Sequence, residues 1–347
     1  MNDKSEILKK YGCHAFLVLT SSNTFYLSGY ESSNCRILLT DDKDNFFTDM
    51  RYLEEDKQHI GDRFEVLLGG INEIKELVAK LEIKNLGVEQ EVSYSEYVGL
   101  QELFDGVKFV ATDEVFRELR AVKSEREISL IKQAQSVTDA AFSEILPFIK
   151  EGVSEIEIAA RLEYIILKNG CELAFDSIVA FGENGSKPHA HRSERKLRSG
   201  EFVTMDFGAK YKGYCSDMTR TVALGAIDER KARAYNAVLE AGKIAAKAVK
   251  VGEKCSDIDA VARNYLAKFG LDKFFSHSLG HSLGVDIHEM PAFSPSCGEI
   301  LKEGMIITDE PGVYLEGDFG LRIEDMLLVT SDGAVDLTHS DKNLIIL

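Results

Sequence analysis

Four acidic residues interrupt apolar runs in the second half of the chain, at spacings typical of β-hairpins. Asp206 lies in VTMDFGA, and Asp217 follows eleven residues later in YCSDMTRTVAL. Glu310 ends the apolar strand run in MIITDEPGVYL, and Glu324 lies fourteen residues further on, within the strand run GLRIEDMLLVT. A turn between the members of each pair would place their carboxylates on facing strands. Because a buried carboxylate without a partner is costly, we expect all four to point toward one charged site.

Divalent cations are the usual partners of such a cluster, since the carboxylates otherwise repel one another. His281, in HSLGHSLG, adds one nitrogen ligand. That nitrogen shifts the preference from Mg²⁺ or Ca²⁺ toward Mn²⁺, Co²⁺, Fe²⁺ or Zn²⁺. The six cysteines are scattered singly without a C-x-x-C pair. We therefore expect reduced thiols that serve as packing residues, and a metal held by oxygen and nitrogen.

The charge balance restricts the partners of the chain. The 347 residues include 58 Asp or Glu and 41 Lys or Arg, which gives a net charge of −17. A field of this sign repels phosphate backbones and anionic lipid headgroups, so we expect no nucleic acid or membrane partner. The first residues, MNDKSEILKK, carry no apolar leader, and no run reaches the roughly 18 apolar residues of a membrane span. These features predict a cytoplasmic protein.

Length and hydrophobic pattern predict two domains, because one core usually holds no more than roughly 250 to 300 residues. Residues 1–120 alternate short apolar runs with helical patterns, which indicates a small α/β domain without a catalytic cluster. We place the boundary near residue 121. The predicted strands of this domain are 15–20, 36–41, 64–69, 85–90 and 107–112, and the predicted helices are 51–58 and 71–81.

Residues 121–347 carry signs of an internal duplication. A capping box of Ser124 and Glu127 opens a long amphipathic helix, predicted over 124–150. The pattern Ser-acidic-Ile-acidic-x-x-Ala-Arg at Ser154 recurs at Ser256, 102 residues later. A chance match between two capping boxes is the alternative. Duplication predicts two α-α-β units with two facing sheets and outer helices, an α+β architecture. The predicted helix pairs are 125–149 with 154–169 and 228–249 with 256–269, ended by Gly170 and Gly270.

These motifs together resemble the pita-bread metallopeptidases, and within them the proline-specific branch of aminopeptidase P and prolidase. The resemblance extends to LRAVKSEREISLIKQA, SSNTFYLSGY and TDMRYLEE, and so covers nearly the whole chain. It implies a pita-bread catalytic domain over 121–347, preceded by the smaller α/β domain. The stretches that carry it are GENGSKPHAH (182–191), MDFGAKYKGYCSDMTRT (205–221), FSHSLGHSLGVDIHEMP (275–291), TDEPGVY (308–314) and GLRIEDMLLVT (320–330).

The resemblance implies a dinuclear site with two divalent ions, of which Mn²⁺ is the expected one and Co²⁺, Fe²⁺ and Zn²⁺ are the alternatives. Asp206 would chelate one ion, and Asp217 and Glu324 would bridge both. His281 and Glu310 would complete the coordination of the second ion. Two neighbouring ions can share a hydroxide, lower its pKa and polarise a scissile carbonyl.

The resemblance also implies roles for the side chains around the metals. Glu310 would serve as general base and proton shuttle. His189 and His288 would be catalytic, binding the substrate and stabilising the oxyanion. His277 and Arg322 would line the substrate cleft, and Arg322 would share a strand face with Glu324.

Three residues do not follow this assignment. Many relatives have Gly after the metal-binding histidine, where this chain has Ser282. We expect the serine to crowd the backbone without removing a ligand. His191 and His339 receive no role.

The implied activity is hydrolysis of the Xaa-Pro bond at the N-terminus of dipeptides or short peptides by a proline-specific exopeptidase. Alternatives are a methionine aminopeptidase, a creatinase-type hydrolase and a non-catalytic pita-bread binding protein. The extra N-terminal domain argues against the first, and the intact ligand set argues against the other two. The resemblance also implies a homodimer in which the N-terminal domain, with Arg51 and Tyr52, covers the mouth of the partner's cleft.

Overall fold

The structure is a computed structural model that describes residues 4–347. Residues 1–3 lie outside the described residues. They belong to the N-terminal segment, MNDKSEILKK, for which no apolar leader is predicted. The chain divides into two compact units, Met1–Arg120 and Ala121–Leu347. Among the described residues, no helix combines the length and apolar character needed to cross a membrane.

The first unit is built on one six-stranded sheet, in the order β4-β3-β2-β1-β5-β6. Strands β1, β2 and β3 form antiparallel pairs, and the outer strands join them in parallel. The strands are β1 (Ala15–Val18), β2 (Arg36–Thr40), β3 (Asp44–Thr48), β4 (Glu65–Leu68), β5 (Asn85–Val88) and β6 (Lys108–Ala111). The helices are α1 (Lys4–Tyr11), α2 (Ser21–Ser28), α3 (Leu53–Ile60), α4 (Ile71–Lys80), α5 (Tyr94–Leu103) and α6 (Asp113–Ala121).

Both faces of this sheet are buried. Along β1, Phe16 and Val18 belong to one apolar cluster, while Ala15 and Leu17 belong to another. This is the α/β architecture that the sequence predicts, and all five predicted strands are present. The additional strand β3 was missed because its first residues, Asp44 and Asn45, are polar and interrupt the apolar run.

The second unit contains two antiparallel helix pairs, as the duplication predicts. They are α7 (Glu125–Ile145) with α8 (Glu155–Lys168), and α9 (Glu229–Ala248) with α10 (Cys255–Ala267). The capping box of Ser124 and Glu127 is present at the start of α7. That helix ends earlier than predicted, because Pro147 follows it within a short 3₁₀ turn. Gly170 and Gly270 follow the second helix of each pair with positive φ angles of 76° and 65°.

The second helices of the two pairs, α8 and α10, begin 100 residues apart, so the serine motifs, which are 102 residues apart, do not occupy equivalent positions. Ser154 caps α8 through a capping box with Glu157, but the cap of α10 is Lys254. Ser256 lies inside α10, where its hydroxyl contacts Asp257. The serine motif therefore plays different local roles in the two halves, although the duplication itself is real.

Two of the sheets of this unit position most of the predicted metal ligands. One is three-stranded in the order β12-β9-β8, and the other is five-stranded in the order β14-β13-β15-β18-β19. The strands of the unit are β7 (Glu172–Leu173), β8 (Ile178–Phe181), β9 (Glu201–Phe207), β10 (Ala209–Tyr211), β11 (Tyr214–Cys215), β12 (Met218–Leu224), β13 (Gly280–Ser282), β14 (Glu289–Phe293), β15 (Ile306–Asp309), β16 (Gly312–Leu315), β17 (Phe319–Arg322), β18 (Asp325–Thr330) and β19 (Gly333–Asp336).

Each of these two sheets contributes to an apolar core with one helix pair. The core of α7 and α8 includes Val203 and Met205 of β9. The core of α9 and α10 includes Ile307 of β15 and Leu327 of β18. This is the duplicated pita-bread arrangement, in which the helices leave the opposite sheet faces available for a site.

Candidate metal centre

The first pair of carboxylates is held by β9 and β12. Asp206 lies in β9, opposite Thr219 of β12. Asp217 was predicted inside a strand, but it lies in the two-residue break between β11 and β12. Outside a strand, the direction of its side chain is not fixed by the alternation of side chains between the two sheet faces. Both carboxylates thus reach the same cavity.

The second pair follows a similar plan. Glu310 directly follows β15, as predicted. Glu324 was predicted within a strand, but it lies in the break between β17 and β18. Its backbone N–H donates to the carbonyl oxygen of Thr219 at 3.1 Å, which ties the break to β12. The two sheets therefore meet where the four carboxylates converge.

His281 brings the nitrogen ligand to this cluster from β13. Its Nδ1 donates to the carbonyl oxygen of Ser282 at 3.1 Å, which leaves Nε2 with the lone pair. Nε2 lies 3.5 Å from Oδ2 of Asp217 and 3.6 Å from Oε1 of Glu310. Burial and the neighbouring His288 lower the pKa of His281 to about 4, so the ring is neutral and able to bind a metal at neutral pH.

The structure brings all the sequence-predicted site residues to one cavity of about 330 Å³. The rings of His281 and His288 lie 4.4 Å apart, edge to face. His191 and His339 do not line this cavity; the backbone N–H of His339 instead donates to Asp139. The predicted residues that line it are His189, Asp206, Asp217, His277, His281, His288, Glu310, Arg322 and Glu324.

The donor set fits divalent cations. Oδ1 of Asp206, Oδ1 of Asp217 and Oε1 of Glu324 are buried, with no hydrogen-bond partner among the described residues. Ligand atoms of Asp217, His281 and Glu324 lie within 4.8 Å of one another. Burial, and then the neighbouring carboxylates, raise the pKa of Asp217 and Glu324 well above the usual values. Positive charge at this point would satisfy the open oxygens and keep the carboxylates ionised.

Arg322 is the internal cation of the cluster and organises residues that the sequence did not single out. Its guanidinium donates to Oδ2 of Asp206, to the hydroxyl of Tyr314 at 2.6 Å and to Oγ1 of Thr219 at 2.9 Å. Thr219 in turn donates to Oε2 of Glu324 at 2.7 Å. Arg322 and Glu324 are therefore linked through Thr219 and not by a shared strand face, since Glu324 lies in the break after β17. Tyr314 also lies 2.9 Å from Nε2 of His277.

A half-buried ion pair on α10 holds the loop that carries the histidines. Arg263 and Asp259 form two hydrogen bonds of 2.9 Å, at the i, i+4 spacing of a helix. The guanidinium also donates to the carbonyl oxygens of Phe275 and His277. Asp259 accepts from the backbone N–H of Leu279 at 3.1 Å. The pair thus fixes the chain just before His281, a role that a lone i, i+4 pair in the sequence does not reveal.

Comparisons with known proteins agree with this fold and site, which are those of a two-domain pita-bread metallopeptidase. Residues 4–122 match the Creatinase/Prolidase N-terminal domain, and residues 129–331 match Metallopeptidase family M24. The chain belongs to metallopeptidase family M24.

The similarity to individual relatives extends over nearly the full length of this chain. An Xaa-Pro dipeptidase of Pyrococcus horikoshii is 35% identical over 99% of each chain. The solved structure of an Xaa-Pro dipeptidase from Bacillus anthracis is 37% identical, covers 100% of this chain and 98% of its own, and superposes with a TM-score of 0.96. An X-Pro aminopeptidase from Thermotoga maritima is also 37% identical, with a TM-score of 0.92 over 99% of this chain and 100% of its own.

Proposed function

We propose that this chain is a metal-dependent exopeptidase that hydrolyses the Xaa-Pro bond of dipeptides or at the N-terminus of short peptides. The observation that carries the proposal is the convergence of four carboxylates and four histidines on one cavity of about 330 Å³. Full-length similarity to Xaa-Pro dipeptidases supports the choice of substrate. The Xaa-Pro bond is a tertiary amide, so a dedicated site for it is chemically reasonable.

The proposed cofactor is a pair of divalent ions, with Mn²⁺ as the expected metal and Co²⁺, Fe²⁺ or Zn²⁺ as alternatives. Asp206, Asp217 and Glu324 would hold the ions, because each has one buried oxygen without a hydrogen-bond partner among the described residues. The family resemblance assigns the bridging positions to Asp217 and Glu324. Asp206 would complete the coordination of one ion, and His281 and Glu310 would complete the coordination of the other. Bound at this site, the ions would supply Lewis-acid activation of water and of the scissile carbonyl.

The chain's own residues would move the proton. Glu310 would take a proton from the attacking water and deliver it to the proline nitrogen, which must leave as an amine. Burial raises the pKa of Glu310 to about 8, so positive charge at the site would be needed to keep this carboxylate ionised and able to accept a proton. His277 lies 4.0 Å from Oε2 of Glu310 and lines the same wall.

Substrate contacts are assigned to the side chains that face the cavity from outside the ligand set. His189 and His288 would donate hydrogen bonds to the substrate and to the developing oxyanion. Arg322 would orient the carboxylate of Asp206 and hold Tyr314, since its donors are directed at both. The carboxylates would thereby be positioned before substrate binds.

One assay tests the activity and separates the alternatives. Metal-reconstituted protein would be compared on an Xaa-Pro dipeptide, an Xaa-Pro-Xaa tripeptide and a Met-Ala-Xaa tripeptide. We expect turnover of one or both proline substrates only. Cleavage of the Met-Ala peptide alone would indicate a methionine aminopeptidase, and inertness toward all three would contradict the proposal. Asp217→Asn protein serves as the control for contaminating peptidases.

Organisation and location are part of the same proposal. We propose domains at 1–120 and 121–347, in line with the two compact units of the chain. We also propose a homodimer in the cytoplasm. All six cysteines are free thiols and five of them are buried, which suits a reducing compartment.

A further inference from the structure

Two of the six cysteines lie next to each other in the apolar core around α9 and α10. Cys255 is the first residue of α10, and Cys297 lies 42 residues later, in the segment between β14 and β15. Both belong to the same core, and the two residues are 0% and 8% exposed. The sequence does not reveal this pair, because its cysteines are scattered singly along the chain.

The backbone holds the two residues at a fixed separation. The N–H of the residue after Cys255 donates to the carbonyl oxygen of Cys297 at 3.1 Å. The N–H of Cys255 itself donates to the carbonyl oxygen of Glu299 at 2.9 Å, and Lys254 and Ile300 form an antiparallel bridge beside them. Residues that adjoin such main-chain hydrogen bonds are close enough for a disulfide, whose Cα atoms are usually roughly 4.4–6.8 Å apart.

The two thiols are within hydrogen-bonding reach of each other. Burial, and then the adjacent Cys297, raise the pKa of Cys255 to about 12, so the thiol of Cys255 is protonated at neutral pH. A protonated thiol is a poor nucleophile toward reagents from solvent. Any oxidation of the pair must therefore begin at Cys297.

The segment around Cys297 gives a small oxidant a route to its sulfur. Ser296, Gly298 and Glu299 are exposed, although Cys297 between them points into the core. Hydrogen peroxide is little larger than a water molecule, so a small displacement of this exposed segment is enough to admit it. The sulfur of Cys255, at the start of α10, is covered by the same segment.

We propose that Cys255 and Cys297 form an oxidation site at which a peroxide converts the two thiols into a disulfide. The sulfur of Cys297 attacks one oxygen of hydrogen peroxide and the O–O bond breaks, which gives a sulfenic acid and one water. The sulfur of Cys255 then displaces the sulfenic hydroxyl, which leaves with the proton of Cys255 as a second water. The two thiols are oxidised to one disulfide, and the peroxide is reduced to two waters.

Contact between the sulfurs makes the second step feasible despite the high pKa of Cys255. The reaction is intramolecular, so no encounter in solution is needed. A thiolate of high pKa is also the stronger nucleophile once its proton has left. The bridge uses no residue of the metal centre.

The disulfide would close a loop that carries three histidines of the cavity. His277, His281 and His288 all lie between the two cysteines in the sequence. A cross-link around this segment restricts the unfolded chain, which stabilises the folded state. Because the two thiols already lie together, the native structure needs little rearrangement to form the bridge. We therefore expect the oxidised protein to unfold at a higher temperature than the reduced protein.

Peptide mapping tests whether the bridge forms. Full-length, metal-loaded protein is treated with hydrogen peroxide, quenched with catalase, alkylated at its free thiols and digested with trypsin without reduction. The two cysteines lie in separate tryptic peptides, 255–263 and 274–302. We expect mass spectrometry to find these peptides cross-linked in more than half of the molecules, and dithiothreitol to separate them. Absence of the cross-link, or conversion of Cys297 to sulfinic or sulfonic acid instead, would overturn the proposal.

Variants identify the bridge as the source of the stabilisation. Oxidation is expected to raise the Tm of the unmodified protein by roughly 5 °C. Cys171→Ser, at another buried cysteine of the same unit, is the matched control and should keep both the cross-link and the rise in Tm. Cys297→Ser should lose both. The same rise in Cys297→Ser, or no rise in the cross-linked unmodified protein, would refute the stabilising role; the second comparison needs no variant and holds even if Cys297→Ser folds poorly.

Discussion

Nζ of Lys123 donates a hydrogen bond of 2.8 Å to Oγ of Ser282, the residue next to His281. The lysine side chain is 1% exposed and also lies 3.3 Å from Oε2 of Glu289. Ser282 is fully buried and donates to the carbonyl oxygen of Ile306 at 2.9 Å. The serine at the position where many relatives have glycine therefore supplies an acceptor for a buried lysine.

Replacing this lysine should destabilise the protein strongly. Lys123→Met removes the buried ammonium group that lies 3.3 Å from the carboxylate of Glu289, which we expect to lower the free energy of unfolding by about 3–5 kcal/mol. Urea denaturation followed by circular dichroism measures the change. Lys150→Met, at an exposed lysine of the same unit, is the matched control and should change stability by less than about 0.5 kcal/mol. Equal effects of the two substitutions would show that the buried pair is not stabilising.

Activity should depend on the bridging carboxylates and on the metal. Chelation is expected to abolish hydrolysis, and Mn²⁺ or Co²⁺ to restore it. Asp217→Asn or Glu324→Gln removes one bridging charge, so each should lose most activity and bound metal while the far-ultraviolet spectrum is retained. Metal content by mass spectrometry and kcat on an Xaa-Pro dipeptide measure the two effects. Near-normal turnover in both variants would rule out the proposed ligands.

The outer histidines should affect chemistry without affecting metal content. We expect His189→Ala and His288→Ala each to lower kcat by roughly 10²-fold or more, because contacts to an oxyanion act mainly in the transition state. Metal analysis of the same preparations is the control. If either variant loses metal, that histidine is a ligand and the assignment to substrate binding is wrong.

We expect activity to depend on the hydrogen-bond geometry of the Arg322 guanidinium as well as on its charge. Its guanidinium makes hydrogen bonds to Tyr314 and Thr219 and an ion pair with Asp206, all in a buried setting. Arg322→Lys keeps the charge but cannot reproduce the planar fork, so we expect a loss of kcat with the pH profile displaced. Tyr314→Phe removes one of the three contacts and should have a smaller effect. A lysine variant with normal kcat and pH profile would show that only the charge matters.

Some residues of the site are marked by local sequence motifs, whereas others are defined only by contacts between distant parts of the chain. The nine predicted site residues each lie within a short motif, and the structure places all of them around one cavity. Thr219, Lys123 and Arg263 could not be found in this way. The contacts that matter for the site reach partners up to 166 residues away in the chain or backbone carbonyls, so no local spacing marks them.

A helix of the first unit also could not be predicted from a local sequence pattern. Helix α2 (Ser21–Ser28) has no clear apolar stripe, and its buried residues include Asn23 and Thr24. Hydrophobic periodicity, the signal on which the prediction depended, is absent from such a segment. The side chain of Asn23 instead donates to Glu89, a contact across 66 residues that only the folded unit supplies.

The N-terminal domain should limit substrate length in a homodimer. Arg51 and Tyr52 lie in a turn before α3; Arg51 is paired with Asp49, and the hydroxyl of Tyr52 accepts from Ser33 at 2.7 Å. The Arg51 side chain is 69% exposed, so these local contacts present it at the surface of its own unit. We expect Arg51→Ala to alter the ratio of kcat/KM between an Xaa-Pro dipeptide and a longer Xaa-Pro peptide. Arg117→Ala, at another ion-paired arginine on the surface of this unit, is the matched control.

Sedimentation tests the assembly on which that effect depends. We expect the full-length protein to sediment as a dimer at micromolar concentration, because a cap over the partner's cleft requires two copies. A truncated protein that begins at Ala121 should misfold or become monomeric with an altered length preference, since the cleft would lose its cover while the metal ligands remain. A full-length monomer, together with a truncated form that matches its activity on every peptide length, would refute the capping role.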